Sequence, residues 1–256
     1  VGSEMCIRDR KYTALIQKKR FVSGKEMFKD VHNKETASSL LYKYKKRNII
    51  VQIRKNVYLP TNPADGFVDE NKYEIGCNSV PNAYISYHSA MEYYGLQNQV
   101  FNRIYLSTPK RFRAFEFDFV EYMYAPDKFK EGIIQPELTK NIHVTDIERT
   151  IVDCIDRLDL AGGIEELIYN FELINEVDEN KILYYMSLHK KQVIYQKSGF
   201  ILSCFKEQMT LSEMFFEFCS ANIGKSVRYL TDKYDSNVYI PKWKLYVPQY
   251  ILSLIK

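Results

Sequence analysis

The sequence predicts an α+β fold, with an N-terminal winged helix-turn-helix followed by a larger mixed α/β domain. Three observations carry that reading. Residues 23–60 follow a helix, tight turn, helix and two-stranded ribbon pattern. Residues 61–82 are rich in turn-forming pairs, and beyond them β-branched and aromatic segments alternate with amphipathic ones. At 256 residues the chain has material for a buried core in each part.

The first ten residues, VGSEMCIRDR, show no hydrophobic period and read as a non-native leader, so the fold is expected to begin near Lys11. Tyr12, Leu15 and Ile16 then give a short amphipathic helix. Ser23 and Glu26 have the spacing of a capping box, in which hydroxyl and carboxylate satisfy free N–H groups at a helix start near Gly24. His32-Asn33 interrupts that helix, and Asn33 is a good N-cap for the next. There, Ala37, Leu40, Leu41 and Tyr44 fall at i, i+3, i+4 and i+7 and face a core. The opposite face carries Glu35, Ser38, Ser39, Tyr42, Lys43 and Lys46, the mixture of small polar, aromatic and cationic groups that a major groove accepts. Lys45-Lys46-Arg47 ends the helix, where cations also suit its dipole. Residues 49–53 and 57–59 are β-branched strands around Arg54-Lys55-Asn56, and Asn56 tolerates the left-handed turn a hairpin tip needs.

Charge is divided unevenly along the chain. Residues 1–60 hold 15 Lys+Arg against 5 Asp+Glu, net +10, while residues 61–256 hold 21 against 27, net −6. A basic head on an acidic body suits contact with a polyanion. Charge alone supports phosphate binding, and sequence reading must come from the helix face. Ser38, Ser39, Tyr42 and Lys43 are therefore assigned to base contacts with double-stranded DNA, and Lys34, Lys46, Arg47, Arg54 and Lys55 to phosphate or groove contacts.

Residues 61–82, with Asn62-Pro63, Asp65-Gly66 and Pro81-Asn82, read as a linker able to dock locally through Phe67, Val68, Tyr73 and Ile75. The body then runs from residue 83 to residue 256. Ser86 is expected to cap a helix through Tyr94, with Gly95 as its left-handed C′ residue. His88 and Ser89 are neighbours on that helix and point about 100° apart, which does not suit a base and its nucleophile. Residues 103–107 and 115–124 are strand-like, with Glu116 and Asp118 on one face of the second. Thr145 and Glu148 form a second capping box, opening a helix on whose flank Arg149 and Asp153 pair at i, i+4. Gly162-Gly163 is a turn, residues 164–174 and 178–188 are helical, Ser198-Gly199-Phe200 opens a segment over residues 201–205, and the last strands lie at 227–230 and 238–247.

The five cysteines are odd in number and never in a C-x-x-C pair, and the four histidines have no zinc-ligand spacing. The cysteines read as reduced thiols, mostly core, in a chain without a metal or cofactor. No apolar run is long enough to span a bilayer, so a soluble cytoplasmic protein is expected.

Several stretches together resemble the AbiEi family of antitoxins from type IV, abortive-infection toxin-antitoxin systems. They are Asn56-Val57-Tyr58, Tyr84-Ile85-Ser86 with Ser89-Ala90 and Tyr94-Gly95-Leu96, Val144-Thr145-Asp146 with Glu148-Arg149-Thr150 and Val152-Asp153-Cys154, Lys197-Ser198-Gly199-Phe200, and Lys242-Trp243-Lys244-Leu245 with Val247-Pro248. They span nearly the whole chain after Lys11; the family's usual glycine before the Val-Tyr pair is here Asn56. The resemblance implies a winged helix that represses its own operon at inverted repeats. It also implies a body that counters a nucleotidyltransferase-like toxin encoded alongside. The expected protein is thus an autorepressor and antitoxin without catalytic residues. Its rivals are an enzyme, a metal nuclease using Glu116 and Asp118 or a phosphotransferase acting on the toxin, and an interaction module that does not bind DNA.

Overall fold

A computed structural model describes residues 7–17, 19, 21–137, 141–232 and 236–255, and shows a mixed α/β chain with three β-sheets. The first unit contains α1 (Ile7–Gln17), β1 (Val22–Ser23), α2 (Gly24–Val31), α3 (Lys34–Lys46), β2 (Ile50–Arg54) and β3 (Val57–Pro60). Helix α1 starts at Ile7, inside the stretch read as a leader, while residues 1–6 and the Glu26 side chain of the first capping box lie outside the described residues. Asn33 caps α3 by accepting from the Thr36 amide at 3.0 Å. The four core positions of α3, Ala37, Leu40, Leu41 and Tyr44, are all buried, and they pack with Ile16, Val22, Met27, Val31 and Ile50. The strands pair in the order β1-β3-β2, antiparallel throughout, and Asn56 turns the β2–β3 hairpin at φ 63°.

The other face of this hairpin is covered. Ile53 and Leu59 are buried in a cluster that also contains Ile104, Leu106 and Tyr122 of the body, and the half-buried Val51 and Val57 pack against it. Residues 62–67 make side-chain-capped turns, Asn62 Oδ1 accepting from the Ala64 amide and Asp65 Oδ1 from Phe67. Asn71 and Glu74 then form a capping box for α4 (Lys72–Ser79), whose Ile75 and Cys77 join the same cluster. A Cβ added at Gly76 would lie 3.0 Å from Leu106, so α4 sits tightly on the sheet. Part of the expected linker is therefore core.

The central sheet comprises β4 (Tyr84–Ile85), β5 (Arg103–Thr108), β6 (Phe115–Phe117), β7 (Val120–Pro126), β8 (Ile133–Ile134) and β9 (Val144–Thr145), in the order β6-β7-β5-β4-β9-β8. Helix α5 (His88–Tyr93) follows β4 and ends at Gly95, φ 72°. Ser86 does not cap it; this serine is buried, with Oγ 2.8 Å from Ser107 Oγ across the sheet. The strand expected over residues 115–124 is instead a hairpin. Asp118 and Phe119, at φ 50° and 60°, supply the two left-handed residues of a tight turn that pairs Phe117 with Val120.

Helices α6 (Ile147–Asp156), α7 (Ile164–Glu172), α8 (Glu179–His189), α9 (Gln192–Ser203) and α10 (Glu213–Ala221) build the largest core. A small sheet of β10 (Arg228–Tyr229), β11 (Asn237–Ile240) and β12 (Leu245–Pro248), ordered β10-β12-β11, and α11 (Gln249–Leu254) close it. The cap of α6 is Asp146, accepting from the Arg149 amide at 2.9 Å, rather than Thr145, whose Oγ1 lies 2.7 Å from Thr150 Oγ1. Ser198, Gly199 and Phe200 lie inside α9 rather than opening a new segment. A Cβ at Gly199 would come within 2.2 Å of Trp243, so glycine lets the indole pack directly on the helix backbone. Among the described residues no helix is long and apolar enough to cross a membrane.

Candidate nucleic-acid interface

Burying Ala37, Leu40, Leu41 and Tyr44 forces the rest of α3 outward. Ser38, Ser39, Tyr42, Lys43, Lys46 and Arg47 are all exposed, Tyr42 to 70% although it is a large aromatic. Tyr42 stands between two depressions. On one side a groove of about 430 Å³ runs between α3 and the β2–β3 hairpin, lined among others by Lys34, Ser38, Tyr42, Lys45, Gln52 and Asn56. On the other side Tyr42 shares a shallow surface with Glu35, Ser39 and Lys43. The groove floor is apolar, with Ala37, Leu41 and Tyr58, and its rim is cationic and amide-bearing.

The rim is partly ordered by its own hydrogen bonds. Lys45 Nζ donates to Gln52 Oε1 at 2.8 Å, and Gln52 Nε2 donates to the Arg54 carbonyl at 3.3 Å. The Gly24 amide donates to the Asn56 carbonyl at 3.1 Å, tying the start of α2 to the hairpin tip. Lys34, Lys46, Arg47 and Lys55 are exposed and have no carboxylate partner among the described residues. Unpaired cations around a groove raise the local potential and attract anions. Lys45, Gln52 and Asn56 line this groove but lie outside the site assigned from sequence: Lys45 and Asn56 read there as a helix end and a turn, and strand alternation alone does not say that Gln52 faces the helix.

One assigned residue is corrected. The Arg54 guanidinium turns away from the groove and lies over the Phe115 ring at 5.2 Å and the Phe112 ring at 5.7 Å, on the body. Burial lowers its pKa from the ordinary value. The bulge between Gln52 and Arg54 shifts the strand register and re-aims that side chain. A second basic stretch, Lys110-Arg111-Phe112-Arg113, lies between β5 and β6 beside it, and its run of three cations in four residues was the legible signal for it.

The chain has counterparts among solved structures. It is similar to the Rv2827c protein of Mycobacterium tuberculosis, with a TM-score of 0.67 and 12% identity over 96% of this chain and 92% of that one. At that identity the likeness to Rv2827c shows the fold alone, but it covers head and body together. No family model matches the sequence, and no curated protein matches it.

Titratable groups of the body that sequence reading singled out are engaged in packing or set apart. His88 Nε2 is 3.2 Å from Glu166 Oε1 with its pKa lowered by burial, while Ser89 Oγ accepts from the Tyr105 amide at 2.8 Å. These two residues therefore serve separate packing roles. Glu116 is on β6 and Asp118 in the hairpin turn, so the two carboxylates do not share a strand face. Among the described residues no group of three or more His, Cys, Asp or Glu is placed to hold a metal ion.

A buried ionic cluster joins α6 to α8. His189 Nε2 lies 3.2 Å from Asp153 Oδ1 and Nδ1 3.6 Å from Asp156 Oδ2, ionic distances without hydrogen-bond alignment. Lys128 Nζ reaches Asp156 at 2.7 Å and Asp153 at 3.5 Å. Burial alone pushes the His189 pKa down, but the two carboxylates more than offset it, and the net shift is upward. Asp153 and Asp156 are shifted down despite burial, held by His189 and Lys128. The raised histidine stabilises the fold fully below its unfolded value near 6.5 and loses that contribution as pH rises through its folded value. The depressed carboxylates act oppositely, stabilising above about 4 and failing in acid. His189 thus contributes a fall in unfolding temperature between pH 6 and pH 8.5, against the opposite contribution of His88, and His189→Gln should remove that fall relative to the parent; a variant with the parent's pH dependence would refute the assignment.

Proposed function

We propose that the N-terminal unit is a winged helix-turn-helix that binds double-stranded DNA, with α3 in the major groove and the β2–β3 hairpin as the wing. The observation that carries this reading is α3 itself. It has four apolar positions buried on one side, and on the other it presents Ser38, Ser39, Tyr42 and Lys43, with exposed cations at both ends and a grooved hairpin alongside. Ser38, Ser39, Tyr42 and Lys43 meet base edges, and Lys34, Lys46, Arg47 and Lys55 meet phosphates. Glu35 accepts from a cytosine amino group or is held clear of the strand.

By its resemblance to the AbiEi antitoxins, the chain represses its own operon at inverted repeats and its body counters a nucleotidyltransferase-like toxin. The motif residues that carry the resemblance in the body, Asp146, Arg149, Thr150 and Asp153, are buried. They hold the domain together, and any toxin-directed surface lies elsewhere on it.

Fluorescence anisotropy of the protein against its own upstream DNA and against scrambled DNA, at several salt concentrations, tests the reading. Preference for upstream DNA is expected, with affinity falling steeply in salt as displaced counterions are released. Tyr42→Ala should reduce the preference by roughly ten-fold, as removing one base-reading side chain does. Equal binding to both DNAs would refute operator recognition.

A further inference from the structure

We infer that the body carries a second duplex-DNA phosphate-binding surface, the loop Lys110-Arg111-Phe112-Arg113 between β5 and β6, continuous with the wing. This deepens the DNA-binding reading and rests on it. The body as a whole is acidic, yet residues 103–114 hold Arg103, Lys110, Arg111 and Arg113 and no acidic residue. Lys110, Arg111 and Arg113 are exposed, and among the described residues none of the three has a carboxylate partner. Arg111 lies over the Tyr124 ring at 5.8 Å, which fixes its stem without neutralising its charge.

The wing tip is what places this loop. On one side of it Asn56 lines the groove beside α3; on the other Arg54 is held against Phe112 and Phe115. Phe112 sits in the middle of the basic run and packs near Phe115 and Tyr124, with ring centroids 6.1 and 6.0 Å apart. The loop is therefore tethered to the hairpin by Phe112, and its three cations flank that residue in sequence. Cations thus lie at the groove (Lys34 and Lys45), at the hairpin tip (Lys55) and on the loop (Lys110, Arg111 and Arg113), and the Arg54–Phe112 contact joins the hairpin to the loop. A duplex seated on α3 and the wing would run its backbone on toward the loop. Phosphate neutralisation of this kind adds affinity and salt dependence but carries no base information.

The test uses the full chain and a duplex of about three turns taken from its own upstream DNA. The triple variant Lys110→Gln, Arg111→Gln, Arg113→Gln changes only exposed side chains, and an unchanged unfolding midpoint verifies that it folds. Its affinity is expected to be about 10- to 100-fold weaker at physiological salt, and the slope of log K against log salt shallower by about 2 to 3, at roughly 0.9 for each phosphate no longer neutralised. Preference for upstream over scrambled DNA should stay unchanged, whereas Tyr42→Ala should reduce preference without changing the slope. A triple variant that keeps both the affinity and the slope of the parent overturns the inference while leaving the winged-helix reading intact. Absence of salt-sensitive binding by the parent chain overturns both.

Discussion

Replacing Arg149 with alanine should destabilise the protein by about 3 kcal/mol, the scale on which breaking a buried ion pair acts. Its side chain is only 1% exposed, and each arm of the guanidinium is committed. Nε donates to Asp153 Oδ2 at 3.2 Å, Nη1 to the Glu131 carbonyl at 2.6 Å and Nη2 to the Tyr84 hydroxyl at 2.9 Å. The guanidinium also lies 4.4 Å from the centre of the Phe129 ring. Truncation leaves the Glu131 carbonyl without that donor, removes a cation from beside Asp153, and opens a cavity beneath Tyr84 and Phe129. Lysine is a poor substitute, since one ammonium cannot span three acceptors set out for a planar fork. Urea unfolding followed by circular dichroism would measure both variants, and a midpoint within error of the parent would show that Lys128 and His189 suffice for Asp153.

That residue also marks where sequence reading stops. The i, i+4 spacing of Arg149 and Asp153 is plain in the sequence and suggests a pair on a helix flank. Whether the flank is wet or dry depends on Tyr84, Phe129 and Tyr185, which come from distant segments. The same limit hid α4. Its buried side is made of Ile75, Gly76, Cys77 and Ser79, too small and too mixed to show a hydrophobic stripe, and it reads as core only once Leu106 and Tyr122 are set against it. At residues 115–119 the alternation of Phe with Glu and Asp imitates an unbroken strand, because a two-residue turn normally announces itself with glycine or asparagine-glycine, and here phenylalanine occupies a left-handed position. By contrast, α3 was readable residue by residue. Its cap, core quartet and outward face depend only on local chemistry and a 3.6-residue period. The residues assigned on that helix are exposed, whereas Arg54 is turned onto the rings of a neighbouring loop by a bulge that local pattern does not show.

The covered hairpin bears on how the two parts of the chain work together. In a free hairpin both faces and the tip would be open to a partner. Here Ile53, Leu59, Val51 and Val57 give one face to the body, so only the α3 side and the tip remain open. Head and body are joined through the wing's apolar face and through Arg54. The β5–β6 loop is therefore one ring away from the hairpin that borders the α3 groove.

The charge-reversal pair Lys46→Glu, Arg47→Glu should weaken DNA binding by two orders of magnitude or more, roughly, because each reversal removes a cation from a phosphate and adds a repulsion of similar size. Both residues are exposed at the end of α3, and neither belongs to the helix's buried quartet, so the fold should survive the change. A helix C-terminus does disfavour acidic side chains, which costs about 0.3–1 kcal/mol per site at an exposed position and would register as a small drop in unfolding temperature. The informative comparison is with the second activity. Expressed from an unrelated promoter beside the nucleotidyltransferase-like toxin gene that the proposal places in its operon, the double variant should protect cells as well as the parent does, since the proposed antitoxin function resides in the body. Loss of protection in step with loss of DNA binding, at normal protein levels, would mean that the head takes part in neutralisation and that one surface serves both roles.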